Sequence, residues 1–354
     1  MKLLIVTQKV DENDSILGFF HGWIAEFAKH CESVIVICLE KGEHHLPQNV
    51  NVLSLGKERF EVKSQKSKVL KKLTYAINFF KYIWQERKNY DVVFVHMNQE
   101  YVLLGGPIWK FLGKKITMWR NHAKGSWATR IAVFLSDTVF CTSPQSFTAT
   151  FEKTKIMPVG VDTNFFKPDL GIHRKTNSIL FLGRIAPVKN VDIFIEALRE
   201  LKNKRMEFYA TIAGGSSDKD AEYEKTIRDK VVAYDLMGSV GFTGAVSQLE
   251  ALKLYREHEL YVNLTPDGSM DKTIFEALAS GSMVLVFNIF FKGKLPAGWV
   301  VEDCSNVENV AFAIKNNLNG APGYDLKKKE NLSRFVKEHS LENLMRELMD
   351  KIKQ

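Results

Sequence analysis

Ile179-Leu-Phe-Leu-Gly-Arg-Ile-Ala-Pro-Val-Lys-Asn190, with the apolar-periodic run Val191 to Leu201 behind it, decides how this chain is read. An all-apolar run stops at Gly183, Arg184 and Lys189 flank a turn at Pro187, and Asn190 is placed to cap a helix. That helix would carry Val191, Phe194, Ile195, Leu198 and Leu201 on one face. The pattern is a buried strand delivering two cations to a helix start. A helix N-terminus already favours anions through its free N–H groups and its dipole, so Arg184 and Lys189 beside it form a candidate seat for a diphosphate. Taken alone, the motif is served equally well by a solvated Arg and Lys on an ordinary βα turn.

Working outward, 354 residues suggest two domains rather than one. A hydrophobic content of 45% and a charged content of 25% are ordinary for a globular chain. The formal net charge of +8 favours an anionic partner such as a nucleotide, a phospholipid surface or nucleic acid. Cys31, Cys38, Cys141 and Cys304 form no Cys-x-x-Cys pair or Cys/His cluster, which argues against a zinc site or a disulfide framework and for a reducing cytosol. The opening run Leu3 to Thr7 is too short for the core of a signal peptide, and no stretch has membrane-spanning length. The expected location is therefore cytoplasmic, with a peripheral position on the inner face of the cell membrane open to it.

Upstream of the motif, strand-like runs at Leu3–Thr7, Ser33–Leu39, Val50–Leu55, Val92–His96, Lys115–Trp119 and Thr138–Cys141 alternate with helical periodicity. That rhythm predicts a parallel doubly wound sheet. Pro158 to Pro168 ends in turn formers, and Asp169 to Asn177 is polar and aperiodic, as a linker would be. The rhythm then repeats downstream. The reading is an α/β chain of two Rossmann-like domains, 1–168 and 169–325, facing a central cleft at the carboxyl ends of their strands. A charged helical segment, 326–354, is expected to return to the first domain.

A second stretch carries chemistry: Thr265-Pro-Asp-Gly-Ser-Met-Asp-Lys-Thr-Ile-Phe-Glu-Ala-Leu-Ala-Ser-Gly281. Asp267-Gly268-Ser269 is a loop at a strand's carboxyl end, Asp271 suits a helix start and Gly281 can end that helix. Glu276 on this short helix could accept hydrogen bonds from the two hydroxyls of a ribose, and Gly268 permits close approach of a ligand to the backbone. The structural alternative is that Glu276 only supports helix packing.

Together, Gly183-Arg184 with Lys189, the segment Phe275 to Gly281, and Pro158-Val-Gly-Val-Asp-Thr-Asn-Phe-Phe-Lys-Pro168 resemble the GT-B glycosyltransferases of the large retaining family four. Their order and spacing make the resemblance specific over about residues 115 to 320. It implies a GT-B fold and transfer of a sugar from a nucleotide-sugar donor, UDP ahead of GDP, to a hydroxyl of a glycan or lipid-linked acceptor. Surface polysaccharide or glycolipid synthesis would be the setting, and the nucleotide sugar a co-substrate with no further cofactor. By position, Gly183, Arg184 and Lys189 would hold the diphosphate, Glu276 the ribose, and Gly241-Phe242-Thr243-Gly244 would lie near the base. Lys272 and Thr273 complete the donor set, and His122 falls where the family places a histidine near the transferred sugar. The family's usual Glu eight residues before Glu276 is Gly268 here, which leaves Asp267 or Asp271 to meet the sugar, with Ser269 beside them in the donor set.

Among the histidines, His122 and His96 each follow a strand and His21 lies near Gly18 on the first βα loop, so Gly18, His21 and His96 are candidates for the acceptor side. His44, His45 and His258 read as surface residues. Asp11-Glu-Asn-Asp14 has the wrong spacing for an Asp-x-Asp metal motif, and the leaving group's charge is expected to fall to Arg184, Lys189 and helix N-termini instead. A basic amphipathic helix at about Lys66 to Lys88 packs one side on its own sheet; its lysines Lys63, Lys66, Lys68, Lys71 and Lys72 could meet an anionic membrane surface. A nucleic-acid partner is not expected, for want of a reading motif. Two rivals stand beside transfer: a nucleotide-sugar 2-epimerase, and an inactive nucleotide-sugar-binding protein, which Gly268 favours.

Overall fold

The computed structural model describes residues 1–59, 68–169, 171–268, 270–318 and 326–353. They form two compact units, Met1–Pro158 with Leu341–Gln354, and Val159–Ser340.

The first unit runs β1 (Lys2–Val10), α1 (Gly18–His30), β2 (Ser33–Lys41), β3 (Val50–Ser54), α2 (Lys68–Gln85), β4 (Val92–His96), α3 (Gln99–Phe111), β5 (Lys115–Trp119), α4 (Trp127–Leu135), β6 (Thr138–Cys141) and β7 (Thr154–Ile156). All seven strands pair in parallel, in the order β3-β2-β1-β4-β5-β6-β7. Side chains alternate across a strand, so the unbroken apolar run of β1 feeds two cores at once. Leu3 and Ile5 pack with Phe20, Trp23 and Phe27 of α1, while Leu4 and Val6 pack with residues of α2, α3 and α4. The helices consequently cover both faces.

The second unit runs β8 (Lys175–Leu182), α5 (Val191–Asn203), β9 (Tyr209–Ala213), α6 (Ala221–Ala233), β10 (Val240–Gly244), α7 (Gln248–Glu257), β11 (His258–Asn263), α8 (Lys272–Ala279), β12 (Met283–Val286), α9 (Val307–Leu318) and α10 (Leu326–Glu338). Its five strands are also parallel, ordered β10-β9-β8-β11-β12. Ile179 and Phe181 of β8 join one core with α5, α6 and α9, and Leu180 and Leu182 join the other with α7, α8 and α10. The strand order reverses between β8 and β11, and in open α/β sheets such a switch point opens a crevice at the strands' carboxyl ends. The first stretch quoted above runs through the end of β8, and the second starts just past the end of β11.

The chain passes between units at Pro158/Val159, earlier than the expected 168/169. Val159, Val161 and Phe166 are the cause: they are buried in the second unit's core. Helix α10 also stays with that unit through Leu332 and Phe335, so the returning segment is α11 (Leu341–Lys353) alone rather than everything from 326. Leu344, Met345 and Leu348 of α11 lie in the same core as α1, and Lys115 Nζ donates to the Ile352 carbonyl at 2.9 Å. The basic helix ends at Gln85, short of the expected Lys88. Lys63 and Lys66 lie outside the described residues, as does the side chain of Lys68. Among the described residues no helix is long and apolar enough to cross a membrane.

Candidate functional site

The carboxyl end of β8 opens into a turn built by glycine. Gly183 N–H donates to the Ala213 carbonyl at 2.9 Å, and Gly214 N–H to the Gly244 carbonyl at 2.7 Å, so the turns after β8, β9 and β10 are laced together. Gly214 has φ +131°, and a Cβ there would stand 2.0 Å from the Gly183 carbonyl oxygen. Only glycine permits that approach. Arg184 follows, exposed, with no hydrogen bond or ion pair among the described residues. Asn190, expected to cap α5 with its side chain, does not do so. It adopts a left-handed conformation with φ 51°, and its side-chain amide donates to the Leu264 carbonyl at 2.8 Å. The start of α5 is thereby tied to the end of β11.

Lys189 reaches that same strand end. Its ammonium pairs with the Asp271 carboxylate and donates to Thr265 Oγ1 at 3.2 Å. Asp271 precedes α8 but does not cap it; its Oδ2 also accepts from Asn263 Nδ2 at 3.0 Å and Thr265 Oγ1 at 2.8 Å. Burial acts to raise the Asp271 carboxyl, but the field of Lys189 and these hydrogen bonds outweigh it and hold the group below its usual 3.8. From Asn263 the network continues: its amide donates to Tyr261 Oη at 3.0 Å, and that hydroxyl is 2.8 Å from Thr273 Oγ1 and 3.2 Å from the Leu182 carbonyl. Lys189, Asp271, Thr273 and the Gly183 turn are brought together in this way.

Glu276 lies on the same helix, buried, accepting from Tyr255 Oη at 3.3 Å. Tyr255 and Tyr261 meet edge to face at 5.5 Å, which links Glu276 to the Asp271 network. Burial pushes the Glu276 carboxyl above 4.5, against the opposing field of Lys272 and the Tyr255 hydrogen bond. Burial likewise pushes the Lys272 ammonium below 10.5, although Glu276 and Asp162 act to raise it. Lys272 Nζ donates to the Gly160 carbonyl at 2.8 Å, so it secures the segment before the linker.

The other donor-side candidates differ in their surroundings. Asp267 is exposed and its Oδ1 accepts from the Ile289 N–H at 2.9 Å. Gly268 has φ +107°, a conformation that strains any side chain, which is a physical reason for glycine where the resemblance leads one to expect glutamate. Ser269 lies outside the described residues. On β10, the Phe242 ring carries the Arg228 guanidinium 4.2 Å from its centroid, and Thr243 is exposed.

The remaining candidates belong to the first unit. His122 is exposed, its Nδ1 held 3.0 Å from both the carbonyl and the N–H of Lys124. His96 is buried at the switch between β1 and β4, stacked on Phe20 at 3.7 Å with Nδ1 3.2 Å from Thr7 Oγ1. His21 is half-buried, accepts from the His45 N–H at 3.2 Å, and is lowered by burial below 6.5; Gly18 opens α1. In the second unit His258, expected at the surface, is instead buried between Thr211 Oγ1 and the Leu254 carbonyl, each at 2.8 Å, because it begins β11, an inner strand of the sheet. Among the described residues, Glu12, Glu43 and His45 bring ligand atoms within 4.8 Å of one another. They lie on the polar loops of the first unit, where His45 Nδ1 already bonds Glu12 at 2.8 Å.

Residue-by-residue reading of the sequence passed over Tyr255, Asn263, Thr265 and Gly214. The signal for them was positional: Asn263 and Thr265 straddle the end of β11, and Gly214 stands just past β9.

Two parallel doubly wound units, the second with a cationic turn and a helix carrying a buried glutamate after the two strands of its switch point, define a GT-B architecture. A structure of Anabaena Alr3699/HepE in complex with UDP-glucose matches it with a TM-score of 0.77 at 15% identity, covering 100% of both chains. Sucrose-phosphate synthase from Thermosynechococcus elongatus matches with a TM-score of 0.77 at 14% identity, over 100% of this chain and 99% of its own. The family model described as glycosyl transferases group 1 matches residues 162–339, and the chain belongs to that family. A D-inositol 3-phosphate glycosyltransferase of Kineococcus radiotolerans is 27% identical over 38% of this chain and 34% of its own. A mannosylfructose-phosphate synthase of Agrobacterium fabrum is 28% identical over 37% and 32%. The chain thus spans about a third of the length of these curated relatives.

Proposed function

We propose that this chain is a retaining glycosyltransferase that moves a sugar from a nucleotide-sugar donor to a hydroxyl of a glycan or lipid-linked acceptor, in surface polysaccharide or glycolipid synthesis. The observation that carries the reading is the gathering of Lys189, Asp271 and the glycine turn before Arg184 at the switch point of the second sheet, with Glu276 on the adjoining helix. Arg184, exposed and without an internal partner among the described residues, and Lys189, held in place by Asp271, would neutralise the diphosphate as it departs. The N-terminus of α8 adds its dipole. Glu276 would take the ribose hydroxyls, with Tyr255 fixing its orientation, and Phe242 and Thr243 would lie by the base. UDP is favoured over GDP because solved structures of the Anabaena neighbour hold UDP and UDP-glucose.

In this reading the protein supplies position and charge rather than a nucleophile. The departing phosphate oxygen takes the acceptor's proton on the face it leaves, so configuration is kept, and Arg184, Lys189 and helix N-termini would meet the leaving group's charge in place of a divalent ion. His122 would stand near the transferred sugar, with Gly18, His21 and His96 on the acceptor side. The test is a panel of UDP- and GDP-sugars, read first by thermal shift and then by nucleotide release with and without hydroxyl acceptors. A UDP-sugar should raise the melting temperature, release UDP only with an acceptor, and give a product of unchanged anomeric configuration by NMR. Conversion of donor without acceptor would show an isomerase instead, and donor binding without turnover a binding protein.

A further inference from the structure

Helix α2 is apolar on two sides. Phe79 and Ile83 face the sheet and are buried, while Leu70, Leu73, Ile77, Phe80 and Trp84, spaced i, i+3, i+7, i+10 and i+14, form a second stripe that is 37–57% exposed. The first stripe accounts for packing, and the second does not. Helix α3, which packs against it, and α4, which packs against α3, continue the pattern. Phe79 of α2 touches Tyr101 and Trp109 of α3, at 5.4 and 5.9 Å, and α2, α3 and α4 contribute to one core beneath them. From this layer Phe111 is 84% exposed, Trp127 82% and Phe134 78%. Aromatic side chains left in water to that degree hold burial free energy in reserve for a partner.

Charge selects the partner. Helix α2 carries Lys68, Lys71, Lys72 and Lys81 and no acidic residue, and α4 carries Arg130 and none. Glu100 is the acidic residue of α3, and Lys110 is not counted because it already pairs with Asp137. A second copy docked by two-fold symmetry would set lysines against lysines with little to answer them. An anionic lipid surface answers both features, since ring tips sit at headgroup depth and lysines meet phosphates.

We propose that the outer surface of the α2–α3–α4 layer docks on an anionic bilayer, with Trp84, Phe111, Trp127 and Phe134 at headgroup depth and Lys72 and Lys81 at the phosphates. This goes beyond glycosyl transfer, and vesicle binding is read without donor or turnover, so the two readings fail separately. The full chain is floated with vesicles of phosphatidylcholine alone or mixed with phosphatidylglycerol. It should bind the mixed vesicles and only weakly the neutral ones. At about 1 kcal/mol per lysine, Lys72→Gln with Lys81→Gln should lower apparent affinity for the mixed vesicles roughly thirtyfold. Trp127→Ser with Phe134→Ser should lower binding to both compositions, with an unchanged circular-dichroism spectrum because both side chains are exposed. Quenching of wild-type tryptophan fluorescence by acyl-brominated lipid reads insertion without any substitution. Failure to bind either composition, binding that these variants leave unchanged, or a dimer that they dissociate in place of vesicle binding would overturn the assignment.

Discussion

Lys189 and Asp271, 82 residues apart in the chain, form an ion pair at the carboxyl edge of the second unit's sheet. Both side chains are largely shielded, 16% and 13% exposed, and Thr265 and Asn263 bond the same carboxylate. The pair joins the turn after β8 to the start of α8. It fixes a cation where an unsupported lysine would sample many rotamers.

Removing one partner from such a pair leaves the other charge unanswered, so Asp271→Asn should cost about 3 kcal/mol near neutral pH. The Asp271 carboxyl is depressed in the folded state, so its contribution is complete above the usual 3.8 and is lost as pH falls through the lower folded value. Chemical denaturation from pH 7 downward should show wild type and variant converging in acid. A constant gap would mean that the pair is not the source.

Arg184→Ala should leave folding unchanged, because the side chain is exposed and has no internal partner among the described residues. Turnover should fall by about a hundredfold or more, the usual scale for one electrostatic stabiliser of a leaving group. Steady-state kinetics beside a thermal melt check both halves. Unchanged turnover would remove Arg184 from the mechanism.

Glu276 gives a pH signature. Its carboxyl is raised by burial, whereas ribose hydroxyls donate best to the ionised form, so donor binding should expel a proton wherever the free protein holds one. Affinity for a UDP-sugar, by titration calorimetry, should rise with pH above the usual 4.5 until the carboxyl ionises by itself, then level off. Glu276→Gln should abolish that slope and weaken binding about tenfold to a hundredfold. A slope that survives the substitution would assign the proton to another group.

Gly214→Ala places a methyl group against the Gly183 carbonyl, at a φ of +131° that disfavours alanine. We expect a loss of more than about 2 kcal/mol by urea unfolding. Gly215→Ala, where an added Cβ meets nothing within 4 Å, should be nearly neutral. Equal losses at both positions would show that flexibility, not the close approach, is what these glycines provide.

Much of the fold was legible in the sequence because its signals are local. Apolar runs such as Leu3–Thr7 and Ile179–Leu182 are short enough for strands and lie between helical periods, and this dictated two parallel doubly wound units. The motif residues could be placed at strand ends for the same reason. The unit boundary was less legible, since Val159, Val161 and Phe166 look like part of a linker until a core is present to receive them.

What sequence by itself determined, then, was the class of fold, with Arg184 and Lys189 in the turn after a strand and Glu276 on the short helix that follows another, all consequences of spacing along the chain. Which charge meets which was decided by tertiary structure alone. Asn190 bonds Leu264 rather than capping a helix, Asp271 holds Lys189, and Tyr255 orients Glu276. The physical reason is that a hydrogen bond or ion pair depends on separation in space, and strand order in a sheet brings together residues that no window of sequence contains.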